Sequence, residues 1–337
     1  MTIEYAFEQK PDSGNLMEIA DGLHWLRMPL PFILGHINLW LLRDNDGWTI
    51  VDTGLHDPAT HSTWERIEAD GFTPVRRVIV THLHPDHSGC AGWLCRRHEV
   101  ELWMPRAEYL LGRVLKMDTG REAPEPAVRF YRAAGYDEEQ LASFTKRFGR
   151  FGMMVSEVPD SYRRIRHNEI LRIGDHDWRV LVGSGHSPEH ATLFCEELNC
   201  VISGDQILPT ISSNVSVWPT EPAADPLGDW LDSLAAFKDW LPEDVLVLPA
   251  HGKPFYGAHG RLQELIDEHT EGLEKLLAMC TEPRRAVDVF PALFKSEIDN
   301  RNLIMATGES VAHLHYLERR GQLQSNVNNG VRWYHRT

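Results

Sequence analysis

Three histidines and an aspartate crowd into the six residues His82-Leu83-His84-Pro85-Asp86-His87, directly behind the apolar run Val78-Ile79-Val80 and Thr81. On a helix this spacing would scatter the four side chains around a cylinder, whereas a strand that ends in a tight loop gathers them on one side. Neutral imidazole suits zinc or iron, and the interleaved carboxylate adds a harder oxygen ligand. The stretch therefore reads as a metal site that holds one ion or divides itself between two.

Three later positions repeat the arrangement. Gly183-Ser184-Gly185-His186 follows Val180-Leu181-Val182, Gly204-Asp205 follows Val201-Ile202, and Ala250-His251-Gly252 follows Val245-Leu246-Val247-Leu248. Each sets a ligand-capable side chain at a strand end beside glycines, which permit a sharp turn and a close approach of backbone. Singly, a histidine or aspartate after a strand is an ordinary capping residue; the joint order carries the weight. In the sequence His82, His84, Asp86, His87, then His186, then Asp205, then His251, the chain resembles the metallo-β-lactamase superfamily. The Asp52-Thr53-Gly54 turn behind Trp48-Thr49-Ile50-Val51 is similar to that family's early aspartate motif.

The resemblance spans roughly residues 20 to 260. It implies an α/β fold in which two β-sheets are sandwiched between helices (αββα), with the site along one edge. It implies one metal on His82, His84 and His186, a second on Asp86, His87 and His251, and Asp205 as the bridge between them. The implied cofactors are two divalent ions, zinc ahead of iron or manganese. Seven ligands exceed what one tetrahedral zinc needs and leave positions for solvent. Asp52 is expected behind the ligands, orienting a histidine through its free ring N–H, or as a simple turn residue. Two ions about 3.5–4 Å apart acidify a shared water aimed at a carbonyl or phosphoryl centre. Asp205 as the bridge and Asp86 as an acceptor of that water's proton are the expected catalytic residues.

Composition narrows the remaining choices. At 337 residues the chain exceeds one average domain. A catalytic domain over residues 1–260, with a helical cap inserted at about 106–160, and a small domain over 261–337 are expected. The formal net charge of −15, without clustered Lys and Arg, opposes nucleic acid as a partner. No apolar run approaches the roughly 18–20 residues of a membrane span, and Met1-Thr2-Ile3-Glu4-Tyr5 lacks the parts of a signal peptide, so no membrane association and a cytoplasmic location are expected. The five cysteines, Cys90, Cys95, Cys195, Cys200 and Cys280, read as reduced packing thiols. Cys90, three residues past His87, is open between packing and lining the site. The run Arg163-Arg164-Ile165-Arg166 is open between an anion clamp and a solvated strand end.

Ile33 to Leu42 and Trp48 to Val51 read as a hairpin, with His36 and Asn38 on one face. In the cap, Arg106 to Lys116 and Asp137 to Phe148 carry helical spacing, separated by a break at Gly120 to Pro126. Its end, Phe148 to Met154, combines glycines with Phe151, Met153 and Met154 and is expected to wall the site with apolar side chains, with core packing of the same residues as the alternative. The loop Gln206 to Pro219 is expected to form a substrate rim. Leu262 to Cys280, Arg284 to Phe294 and Glu309 to Arg320 read as helices, followed by a hairpin around Asn328-Asn329-Gly330. That order resembles a winged helix like the C-terminal module of the β-lactamase-like protein two group. With ten Lys/Arg against eleven Asp/Glu in residues 261–337, it is expected to pack on the sandwich, the lid or a partner subunit in a homodimer rather than on DNA.

Three functional classes follow. The first is a dinuclear hydrolase of a small ester, thioester or lactone whose substrate carries an apolar or acyl portion. The second is a metal-dependent nuclease or phosphodiesterase, which the charge opposes. The third is an iron-dependent redox enzyme, against which the complete second ligand set stands. Leu208 lies three residues after Asp205, where related lactonases often carry a tyrosine, and no basic glutathione-binding tail is evident.

Overall fold

The computed structural model describes residues 3–337. The strand His36–Asp44 sets the pattern for the whole molecule. It is buried on both faces: Ile37, Leu39 and Leu41 pack towards one core, while Trp40 and Leu42 pack towards another. The alternation is the two-residue period of a strand, and apolar side chains on both faces require a layer above and below.

Two seven-stranded sheets satisfy that requirement. Along the first the order is Leu16–Ala20, Leu23–Pro29, His36–Asp44, Gly47–Val51, Val75–Ile79, Leu102–Met104 and Arg163–Arg164. Along the second it is Glu4–Tyr5, Phe255–Tyr256, Leu246–Pro249, Cys200–Gly204, His190–Cys195, His176–Gly183 and Ile170–Ile173. Trp25, Trp40, Val51 and Ile79 from the first meet Trp178, Leu193, Ile202 and Leu248 from the second in a shared core. The Trp25 and Trp40 rings stack at 6.1 Å, an arrangement worth about 0.5–1.5 kcal/mol beyond burial.

Helices cover the outer faces. Pro58–Ala69 buries Trp64 and Ile67 on the first sheet, and Ala91–His98 buries Leu94 and Cys95 there. Pro226–Trp240 and Ala258–Met279 bury Trp230, Phe237, Leu262 and Leu276 on the second. Asp57 and Asp225 cap two of these helices by accepting from the Thr60 and Gly228 N–H groups, each just ahead of a proline at the first helical position. Gly47–Val51 pairs parallel with Val75–Ile79, and Cys200–Gly204 pairs parallel with Leu246–Pro249. Parallel neighbours need a crossover, supplied here by Pro58–Ala69 and Pro226–Trp240, and each pair ends at the same edge of its sheet. The result is the αββα sandwich of the expected class.

The cap contains Arg106–Met117, Glu125–Ala134 and Glu138–Arg147. The middle helix lies partly where the prolines suggested only a break. Pro124 and Pro126 sit at its start, where a missing N–H removes no helical hydrogen bond. Tyr131, Leu141 and Phe144 form a small separate core with Leu303 of the C-terminal segment. Phe151 and Met154 pack on the outer core of the first sheet, so of the three residues expected to wall the site only Met153 is exposed, at 70%.

In the C-terminal segment, Leu303–Arg319 is a helix and Leu323–Asn328 pairs with Val331–Arg336. The helix expected over Arg284 to Phe294 is instead a 3₁₀ turn, Ala286–Val289, followed by the short Phe290–Leu293. Pro291 lies in this second piece, and proline cannot donate to the preceding turn. Val311, Leu314, Leu323 and Tyr334 join the core built on Trp230 and Phe237, so this segment packs directly on the sandwich. Among the described residues, no helix is long and apolar enough to cross a membrane.

Candidate metal centre

All seven residues singled out in the sequence converge on the edge where the parallel strands end. Asp52 follows Val51, His82 lies just past Val75–Ile79, Asp205 follows Gly204 and His251 follows Leu246–Pro249. Gly204 has φ +51, and a Cβ there would stand 2.6 Å from the His190 ring, so glycine is required at the turn that delivers Asp205.

The donor atoms fall into two groups. His82 Nε2 lies 2.9 Å from His84 Nδ1, and Asp205 Oδ2 lies 3.4 Å from His186 Nε2 and 4.0 Å from His82 Nε2. In the other group, His251 Nε2 is 3.4 Å from Asp86 Oδ2, and Asp205 Oδ1 is 3.5 Å from both His87 Nε2 and His251 Nε2. The two oxygens of Asp205 thus face different sets of ring nitrogens. Ligands about 2.0–2.1 Å from a tetrahedral zinc stand about 3.3 Å apart, close to this spacing. His87 Nε2, His186 Nε2 and Asp205 Oδ1 are buried without hydrogen-bond partners, an arrangement that costs free energy unless a cation completes it. The residues present therefore fit a metal centre.

The opposite ring nitrogens are held by the protein. His87 Nδ1 donates to Asp52 Oδ2 at 2.7 Å, His186 Nδ1 to the Asn214 carbonyl at 2.8 Å, and His251 Nδ1 to the His36 carbonyl at 2.9 Å. His82 Nδ1 lies 3.1 Å from Thr81 Oγ1, whose own proton goes to Asp52. Each contact orients its ring so that Nε2 faces the pocket. Asp52, at φ 59, occupies a left-handed conformation uncommon outside glycine and also accepts from the Thr81 N–H. It is thus a hub as well as a turn residue.

The electrostatics point the same way. Burial lowers His82 well below its ordinary value, aided by the neighbouring imidazoles, and brings His84 down to about 3. Burial also opposes charge on His87, but the Asp52, Asp205 and Asp86 carboxylates outweigh it and hold the ring well above its ordinary value. His251 is raised as well: against burial, Asp205 and Asp86 favour its charged form. Burial disfavours ionised Asp205, yet His87 and His251 hold it well below the carboxylate range. Positive charge is thus favoured between Asp86, Asp205 and their histidines.

Four contributors escape the sequence reading. Glu108, fully buried in the cap helix Arg106–Met117, accepts from the Leu83 N–H at 2.9 Å and the Glu189 N–H at 2.7 Å. It thereby ties together the loops carrying His82, His84 and His186, and burial raises its carboxyl. His190 Nε2 accepts from the Asp205 N–H at 3.0 Å. Asn214 and Glu309 stand behind His186, joined by an Asn214 Nδ2 to Glu309 Oε2 bond of 2.7 Å. A carboxylate among apolar positions of a cap helix, and a second histidine four residues past His186, were the available signals.

Other expectations separate from the site. Cys90 is buried and donates to the Leu55 carbonyl. Arg163 and Arg164 pair with Glu169 and Glu189, leaving no free clamp in that short strand. Leu208 is buried and offers no side-chain donor. His36 is half-buried, and burial with Arg27 lowers it to about 4; its Nε2 accepts from the Gly252 N–H. Asn38 bridges the two sheets, donating to the Pro249 and Gly252 carbonyls and accepting from Trp25 Nε1, which pins the loop of His251.

Comparison with known proteins agrees with this fold. Residues 33–251 match the metallo-beta-lactamase superfamily, and residues 273–337 match the metallo-beta-lactamase-like, C-terminal domain. A beta-lactamase domain protein from Burkholderia ambifaria is 40% identical, with a TM-score of 0.90 over 99% of this chain and 98% of that one. The metallo-beta-lactamase family protein TTHA1429 from Thermus thermophilus is 27% identical, with a TM-score of 0.81 over 95% and 100% of the two chains. The probable metallo-hydrolase YqjP of Bacillus subtilis (strain 168) is 26% identical over 310 residues, 87% of this chain and 91% of that protein. The sandwich, the strand-edge histidines and these relatives together place the chain in the metallo-beta-lactamase superfamily of metallo-hydrolases.

Proposed function

We propose that the chain is a dinuclear hydrolase of a small ester, thioester or lactone with an apolar acyl portion. The observation that carries the reading is the split of Asp205, one oxygen towards His82 and His186 and the other towards His87 and His251. His82, His84 and His186 would hold one divalent ion, Asp86, His87 and His251 the other, and Asp205 both; zinc is the first choice for the nitrogen-rich set. When bound, such a pair of ions acidifies water, polarises the scissile group and stabilises charge on the leaving group.

The protein's own part is to orient and to move protons. Asp86 has 19% of its side chain exposed, against 12% for Asp205 and 2% for Asp52, so it is the most open of the three carboxylates and suits a general-base role towards the hydrolytic water. Asp52 holds the His87 ring in place. At the rim, the turn ahead of His36 exposes Phe32, Ile33 and Leu34 at 50%, 103% and 43%. His36 itself supplies the carbonyl that fixes His251, so the turn that carries these apolar side chains adjoins in sequence a residue bonded to the second ligand group. They suit an acyl chain, whereas the net charge of −15 opposes a polyanion.

A panel of acyl esters, thioesters and lactones of increasing chain length, set against RNA and a simple phosphodiester, tests the reading. We expect kcat/KM to rise by up to about fourfold per methylene buried, at about 0.8 kcal/mol each. The dependence should flatten in a Phe32→Ser, Ile33→Ser, Leu34→Ser variant. Rapid RNA cleavage with no acyl-length dependence would replace this reading with a nuclease.

A further inference from the structure

The loop after Asp205 is gripped from the C-terminal segment. Ser213 Oγ donates to the Asp205 carbonyl at 2.5 Å. Arg261, in the helix Ala258–Met279, donates to the Leu208 and Ile211 carbonyls at 2.8 and 3.0 Å. Further along, the Val217 N–H donates to the Gly308 carbonyl at 3.0 Å, and a Cβ at Gly308 would stand 2.7 Å from that of Ser216. The loop therefore lies directly on the helix Leu303–Arg319.

Asn214 sits at the centre of this contact with its side chain satisfied. Nδ2 donates to Glu309 Oε2 at 2.7 Å and to the Met305 carbonyl at 3.5 Å, while Oδ1 accepts from Ser216 Oγ at 2.6 Å. A side chain so held leaves its own backbone little freedom to rotate, and the Asn214 carbonyl is the acceptor for His186 Nδ1. The ring is thus locked with Nε2 towards Asp205 Oδ2, 3.4 Å away. Outer partners of this type tune ligand basicity and orientation.

We propose that the C-terminal module is a working part of the metal centre, with Glu309 as a positioning residue that acts through Asn214 on His186. The module then does more than cover the sandwich: it sets the affinity of the ion that His186 would hold. This rests on the two-ion reading above, and the test separates the two.

Zinc affinity is measured by chelator competition on the full chain. Wild type should bind two equivalents. In Glu309→Ala, one equivalent should weaken by about 10–100-fold while the other is unchanged. Glu309→Gln keeps an oxygen that accepts from Asn214 and should stay within a fewfold of wild type. In a His186→Ala background, Glu309→Ala should add no further loss, as expected of two residues acting in one chain. Leu317→Ala removes buried packing from the same helix and should lower Tm with both affinities intact. Unchanged zinc affinity in Glu309→Ala, or an equal loss in Leu317→Ala, overturns the proposal. A wild-type chain that binds one ion overturns the two-ion reading instead, and the effect of Glu309→Ala on that ion's affinity then decides the role of Glu309.

Discussion

The molecule holds two kinds of buried histidine cluster, and the contrast between them separates a metal centre from ordinary packing. Between the helices Ala258–Met279 and Leu303–Arg319, His269 Nδ1 lies 3.2 Å from His313 Nε2. His313 Nδ1 donates to the Glu309 carbonyl, and Ser212 Oγ lies 3.4 Å from His269 Nε2. Every ring nitrogen has a protein partner. Among the described residues neither ring has a carboxylate partner, and burial lowers His269 to about 3 and His313 to about 4. Both rings are neutral and complete. At the strand edge, by contrast, buried Nε2 atoms lack partners, carboxylates face them, and His87 and His251 are held above their ordinary values. Unpartnered buried nitrogens beside negative charge, rather than histidine density, distinguish the candidate metal centre.

His56, His61 and Cys90 form an intermediate case, with possible donor atoms within 4.8 Å of one another. His61 Nε2 lies 3.0 Å from His56 Nδ1, however, and its ring stacks on Trp93 at 4.3 Å. The thiol donates to the Leu55 carbonyl, and burial pushes it up, away from the thiolate a metal needs.

The largest effect that can break this contrast belongs to Asp205. Asp205→Asn keeps the shape but removes the charge between the two ligand groups, so both ions should weaken by about 100-fold or more with a collapse of hydrolysis. His251→Ala should mainly release one ion. Zinc titrations that look alike for the two variants would count against Asp205 as the bridge.

A smaller loss is expected one layer out. Asp52→Asn retains a residue type that tolerates the left-handed backbone and an oxygen that accepts from His87 Nδ1, but loses the charge that supports the imidazole. One ion should weaken by about tenfold. An unchanged affinity in the same chelator competition would reduce Asp52 to a turn residue.

The packed pair should answer to pH instead of metal. Because His269 and His313 have folded pKa values of about 3 and about 4, below the usual 6.5, the unfolded chain binds more protons as pH falls through that window. Their contribution to stability is full above about pH 6.5 and declines to about pH 3–4, by up to about 1.4 kcal/mol per pH unit for each ring. With chelator present throughout, denaturant unfolding of His313→Gln should give a shallower acid limb than wild type. Equal slopes would show that the pair is not buried neutral.

The convergence of the seven strand-edge residues was legible from their joint order, four local marks of an apolar run followed by ligand-capable side chains, none of which decides alone. The sandwich was legible through the resemblance that the order of these ligands carries, with apolar runs such as Val78 to Val80 consistent with buried strands. Glu108, His190, Asn214 and Glu309 have no such mark. Glu108 enters through a cap helix whose periodicity reveals amphipathicity but not the N–H groups its carboxylate will meet. Glu309 meets Asn214 across 95 residues of chain, a contact that only tertiary packing creates. The cap was legible as helical but not in its contacts, because Tyr131 and Phe144 pack with Leu303, far away in the sequence, while Glu108 of the same cap reaches the loops of His82 and His186.

Metal content tests the central claim most directly. Elemental analysis and zinc titration of the purified chain should give about two ions per chain, with hydrolysis rising as the second is loaded. A fully active protein carrying one tightly held ion, or full activity in His251→Ala, would contradict the dinuclear account.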